Sequence, residues 1–294
     1  MLGYVCIGIV DHRYDTEFRR QRKLSLSILK DFGFGKDIME ERIQTEVSVL
    51  LEKIRDIKSA AFSPDSVVLP CALNVVVSIM FGRRMEDRAI GDFSKVSYKF
   101  MHSVIEIVAA DVLPVLGFLP QMRRRVATTI DLQNQVFGII RSSMETSEED
   151  SFVRYYEKHE SSSLDREQLE YTVRDLLLSS METVTSTLLW ALVFLAGREG
   201  QRVQARLWKE IESQVPRERL PSLADRPRLP FLEATILEVM RIRTVFPLSL
   251  GHWTSCDTTA GGFFIPANTL ASISAGCVDC HFSGFCLKEK MFRS

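Results

Sequence analysis

Apolar residues recur at helical spacing through most of the chain, a pattern that predicts a mainly α protein with strand signals confined to its last part. Asp37 to Lys58 reads as an amphipathic helix, with Ile38, Ile43, Val47, Leu50, Leu51 and Ile54 on one side and glutamates, Lys53 and Arg55 elsewhere. Ser66 to Phe81 is strongly apolar and stops at Gly82, a residue suited to a helix end. Asp92 to Ala110 gives another helix, Pro114 and Pro120 interrupt the pattern, and Gln121 to Met144 resumes it. The acidic, serine-rich run from Glu145 to Ser163 is the best loop candidate. Leu164-Asp165 then begins a helix that continues to about Ala196, longer than the average globular helix.

Gly197 and Gly200 mark a break, after which Val203, Leu207 and Ile211 form the apolar stripe of a shorter helix. Pro216, Pro221, Pro227 and Pro230 predict an extended connection, and Pro230 sits where the helix over Phe231 to Ile242 can begin. Thr258 to Thr269, with Gly261-Gly262 ahead of Phe263-Phe264-Ile265, reads as a short β-hairpin.

Composition narrows the class without naming a chemistry. A chain of 294 residues that is 46% hydrophobic can bury a sizeable core. Its 37 basic and 38 acidic residues give no global attraction to nucleic acid, and the basic clusters at Arg13 to Lys30 and Arg123 to Arg125 read as solvated helix faces. Met1 to Val10 is apolar but lacks a basic leader and the length of a membrane span, so neither signal peptide nor anchor is expected. Six unevenly spread cysteines imply no disulfide framework, and Cys6, Cys71 and Cys256 read as core or loop residues.

Two helices carry candidate chemistry. In LLLSSMETVTSTLLW, Glu182 and Thr183 stand inside an apolar helix beside the small residues Ser179 and Ser180. A threonine there can bond back to the carbonyl four residues earlier, either as ordinary helix packing or to leave backbone groups for a ligand or water. Glu238 and Arg241 share a face of the later helix and can form a charged pair, on the surface or partly buried among Ile236, Leu237, Val239 and Met240. His252 lies just beyond, near the hairpin. In the tail, Cys277-Val278-Asp279-Cys280-His281 spells a CxxCH heme-attachment pattern, for which chance recurrence is the stronger explanation.

Taken in order, these segments resemble the cytochrome P-450 family of heme-thiolate monooxygenases, most closely the microsomal type. YDTEFRRQRKLSLSILKDFGFGK is similar to the family's C-helix segment, ERIQTEVSVLLEKIRD and NVVVSIMFGRR to the two helices after it. SSMETVT resembles the oxygen-activating helix motif, EVMR the ExxR signature, and GGFFIPANT the hairpin that follows. The resemblance implies a helical cytochrome P-450 fold over residues 1–269, from the C-helix region through that hairpin, and a divergent tail over 270–294. It implies a heme cofactor and insertion of one oxygen atom of O2 into a small lipophilic substrate. An NADPH-dependent reductase would supply electrons, at the endoplasmic reticulum membrane.

Residue by residue, the resemblance makes Thr183 a proton-delivery group and Glu182 its acidic neighbour, with Glu238 and Arg241 as the structural signature. Arg22 and His252 would hold the heme propionates by charge and hydrogen bonding. Phe18 stands where the family usually has Trp, which removes an indole donor, and Ser179-Ser180 replaces the usual Ala-Gly pair. After Thr269 the resemblance fades, and no glycine-flanked cysteine loop supplies a proximal ligand. The expectation is therefore a chain truncated at both ends and inactive as given, because the thiolate is what favours O–O cleavage. A catalytically silent isoform acting through partner binding and a c-type heme protein using the CxxCH tail are the alternatives.

Overall fold

The computed structural model describes residues 8–10, 12, 14–32, 37–58, 60–112, 118–159, 163–247 and 251–272. The chain divides into two compact units, residues 1–185 and 186–294. In the first lie α1 (Thr16–Asp31), α2 (Asp37–Ile57), α3 (Asp65–Phe81), α4 (Asp87–Val112), α5 (Pro120–Glu145), α6 (Phe152–His159) and most of α7 (Ser163–Ala196). The helical class expected from the spacing is the one observed.

Local chemistry sets the helix ends. The Asp15 carboxylate accepts the Phe18 backbone N–H at 2.8 Å and so caps α1. Gly82 closes α3 by donating its N–H to the Ser78 carbonyl at 3.0 Å. Pro120 opens α5 at a position whose N–H has no intrahelical acceptor.

The core of this unit is built around α7, where Leu169, Val173, Leu177 and Met181 recur every fourth residue and are at most 2% exposed. Leu73, Val77 and Phe81 of α3, Ile90 and Phe93 of α4, and Val136, Ile140 and Met144 of α5 belong to the same cluster. Each such side chain contributes roughly 1.5–3 kcal/mol by leaving water.

Two features of this unit depart from the sequence reading. The expected loop over 145–163 contains α6, because Phe152, Val153 and Tyr156 form a stripe that is fully buried in this core. The Ser151 hydroxyl accepts the Arg154 N–H and starts that helix. Among the described side chains of α2 the most deeply buried is Glu46, while Ile43 and Ile54 are more than a third exposed. An ion pair with Arg84, Nε to Oε1 at 2.8 Å, stabilises that buried carboxylate.

In the second unit lie the end of α7, α8 (Gly200–Gln214), a 3-10 helix (Leu223–Arg228) and α9 (Pro230–Ile242). Four short strands follow: β1 (His252–Trp253), β2 (Thr258–Ala260), β3 (Phe263–Ile265) and β4 (Leu270–Ala271). The expected hairpin is β2 and β3, antiparallel, with Thr259 opposite Phe264 across the Gly261-Gly262 turn. A second pair, β1 with β4, brackets it, with Trp253 opposite Leu270. The proline-rich connection is not simply extended: Ser222 and Asp225 form a reciprocal capping box that nucleates the 3-10 helix.

Candidate functional site

Glu182 and Thr183 sit in the middle of α7, immediately after the core stripe. The Thr183 hydroxyl donates to the Ser179 carbonyl at 2.8 Å, and the Ser180 hydroxyl to the Leu177 carbonyl at 2.9 Å. These are the back-bonds expected of hydroxyls within a helix. Two residues further, the Thr185 hydroxyl is buried with no hydrogen-bond partner among the described residues.

Glu182 is half-buried, and burial pushes its carboxyl above the usual range while His102 of α4 pulls it back. Burial also raises the Tyr98 phenol, with the Glu182 charge adding to the effect. His102 and Tyr98 line an open groove of about 540 Å³ with Lys99 and Ser103 of α4 and Thr128 and Leu132 of α5. Neither residue is singled out by sequence spacing, because α4 and α7 are distant in the chain and only packing brings their side chains within electrostatic reach.

Phe18 and Arg22 lie one turn apart on α1, so they share a helix face. The half-buried Phe18 ring stands between His12 and Tyr14, with centroid distances of 5.9 and 5.8 Å. Arg20 is committed to Glu17 at 2.7 Å, and Arg19 donates to the Asp15 carbonyl and lies over the Tyr14 ring. Arg22 is exposed and makes no ion pair or hydrogen bond among the described residues. An uncommitted guanidinium beside an aromatic ring is a donor set that fits a carboxylate-bearing ligand such as heme.

The same unit contains a contact that the sequence reading missed. The Gln168 side chain pairs with both backbone groups of Gly8, accepting its N–H and donating to its carbonyl, each at 3.0 Å. Asp175 Oδ2 then accepts the N–H groups of Ile9 and Val10 at 2.8 and 3.0 Å. The available signal was Arg174-Asp175 itself, a charged pair between Val173 and the leucine run that opens LLLSSMETVT.

In the second unit, Arg241 grips Glu238 with two hydrogen bonds, Nε to Oε2 at 2.7 Å and Nη2 to Oε1 at 3.0 Å. The Glu238 side chain is 19% exposed and that of Arg241 41%, and Ile236, Leu237 and Met240 around them are exposed, so within its unit the pair is a surface contact with only its acid partly covered. The helix carrying it is held at its start by Glu210 of α8, whose two oxygens accept the Phe231 and Leu232 N–H groups, both at 2.9 Å. Ahead of that helix the fully buried Asp225 receives Arg219 at 2.6 and 2.7 Å, and also bonds to Arg228 and the Ser222 N–H. His252 is exposed on β1 opposite Ala271. The CxxCH motif at 277–281 lies outside the described residues. Among the described cysteines, Cys71 and Cys256 are free thiols, and burial pushes that of Cys71 up to about 11.

A mainly helical protein with an acid-threonine pair on a long central helix and a bidentate ExxR pair on a later one is the class these features define. The family model for cytochrome P450 matches residues 6–279, and the chain belongs to that family. It is similar to cytochrome P450 2U1 of Mus musculus, 32% identical over 286 residues, which is 91% of this chain and 53% of the mouse protein. The Homo sapiens 2U1 protein is 30% identical over 282 residues, covering 90% of this chain and 51% of its own length. Cytochrome P450 2D15 of Canis lupus familiaris is 30% identical over 284 residues, 91% of this chain and 56% of the dog protein. The chain thus spans about half the length of the curated relatives it matches.

Proposed function

We propose that these residues serve a heme-thiolate monooxygenase that inserts one oxygen atom of O2 into a small lipophilic substrate, with electrons from an NADPH-dependent reductase at the endoplasmic reticulum membrane. When bound, heme supplies the oxygen activation and redox chemistry. Arg22 and His252 are the residues that would hold its propionates, and Phe18 would give the Arg22 contact an aromatic face without the indole donor. Thr183 would pass a proton toward the bound oxygen, and Glu182, whose carboxyl burial pushes above the usual range, would be the neighbouring acid that replenishes it. Glu238 and Arg241 are the scaffold of the second unit.

The observation that supports this reading most is the placement of Glu182 and Thr183: an acid with a raised pKa and a hydroxyl adjoin in the helix that anchors the core, within a family match over 6–279. None of the six cysteines lies in a glycine-flanked loop of the family's form, so no proximal ligand is assigned.

Titration with hemin, followed by absorption, tests the reading. The 294-residue protein is expected to bind hemin, and Arg22→Ala or His252→Ala to weaken it by about tenfold, the value of one charge-assisted hydrogen bond. After reduction and CO treatment, a thiolate-type Soret band is not expected. Its appearance would show that one of these cysteines ligates iron, whereas a failure to bind hemin would remove the heme assignment altogether.

A further inference from the structure

Residues 8–10 are joined to α7 by four hydrogen bonds, two to Gln168 and two to Asp175. Every part of this strap is held on its helix side. The Arg174 guanidinium bonds to Asp175 Oδ1 at 3.0 and 2.6 Å, with both side chains at most 7% exposed. It also lies over the Tyr171 ring at 4.7 Å, so the Asp175 carboxylate has little freedom to turn away. On the strap side, Gly8 has φ +93°, and a Cβ there would fall 2.5 Å from Asp175 Oδ2. Glycine is what lets the chain come this close and present successive N–H groups to one carboxylate.

His12 follows the strap closely in sequence and lies at the start of α1. His12 is nearly buried, packs its ring on Phe18, and places Nδ1 3.8 Å from Oδ1 of Asp15, the residue that caps α1. The later part of α1 has its own anchors: Ser25, Ile28 and Leu29 are buried, and Gln21 accepts a hydrogen bond from the buried Tyr156 hydroxyl. Its first turn faces solvent at Thr16, Glu17, Arg19 and Arg20, and Glu17 ties it to that anchor by accepting a Gln21 side-chain N–H at 2.9 Å. The strap, through His12 and its ring contact with Phe18, is a second tie between α7 and the end of α1 that carries Phe18.

We infer that Gln168 and Asp175 are positioning residues for the cofactor face of α1: through residues 8–10 and His12 they set Phe18 and Arg22 in place from the same helix that bears Glu182 and Thr183. This rests on the assignment of Phe18 and Arg22 to the heme propionates.

Asp175→Ala and Gly8→Ala break the strap from opposite sides, and Gly8→Ala does so without changing the sequence of α7. Amide hydrogen exchange at Ile9 and Val10 is expected to accelerate at least about tenfold in both, with Leu73 and Ile140 in the core unchanged. Hemin affinity should fall about three- to tenfold in both, and Asp175→Asn, which keeps an acceptor, should lie between Asp175→Ala and the parent protein. Arg22→Ala is the reference. If the strap variants exchange fast but bind hemin like the parent, while Arg22→Ala binds weakly, the strap is purely structural and the inference falls with the heme reading intact. Unchanged binding in Arg22→Ala overturns the heme reading itself. Faster exchange throughout the core in both strap variants would also overturn the inference, because the effect would not be local.

Discussion

Glu210 of α8 accepts the Phe231 backbone N–H at 2.9 Å and with its other oxygen accepts that of Leu232, so a side chain from one helix caps the next. Pro230, at the first position of α9, has no N–H to satisfy, and the carboxylate takes the two donors that follow. The negative charge also meets the positive end of the helix dipole. The ExxR pair therefore stands on a helix whose start is fixed by α8.

Glu210→Ala should cost about 1 kcal/mol, the usual loss for a helix N-terminal cap. The effect should be local, appearing as faster amide exchange at Phe231 and Leu232 with no change in the α7 core stripe. Uniform loosening of both units would contradict the capping role.

Asp225 sets a pH dependence in the second unit. The Arg219 hydrogen bonds and the Ser222 N–H hold its carboxyl far below the usual carboxylate range. A depressed folded-state pKa adds stability that is complete above the unfolded value of about 3.9 and is lost as pH falls below it. Asp225→Asn should thus protect α9 less than the parent near neutral pH, and the two should converge in strong acid. A gap that persists unchanged under acid would show that packing, not charge, carries the effect.

Glu182 has the opposite sign. Burial raises its pKa, so the folded state favours the protonated form, and that advantage is lost as pH rises through the folded value. Glu182→Gln should therefore raise the unfolding midpoint by about 1–2 °C near neutral pH and by nothing in acid, the small size reflecting solvent screening of a half-exposed group. Thermal scans across pH check this, and a gain that is equal at all pH values would point to repacking instead.

Legibility in the sequence followed the range of the interaction. The α3 stop at Gly82, the start of α9 at Pro230 and the Gly261-Gly262 hairpin were readable because their causes lie within a few residues. The α6 helix was not, because the serines and acids around Phe152, Val153 and Tyr156 mask a stripe whose partners are far away in the chain. Glu46 escaped notice for a related reason: a glutamate on an amphipathic helix is ordinarily solvated, and only Arg84 makes its burial tolerable.

The sequence by itself determined the helical class, the order of the acid-threonine and ExxR helices, and through them the family resemblance. Those are properties of local spacing and composition, which survive without knowledge of the fold. Tertiary structure alone decided that His102 bears on Glu182, that Gln168 and Asp175 strap the backbone before α1 to α7, and that Glu210 caps α9. Each of these joins residues whose separation in the chain carries no signal, and each depends on a polar group that meets its partner only once the helices have packed.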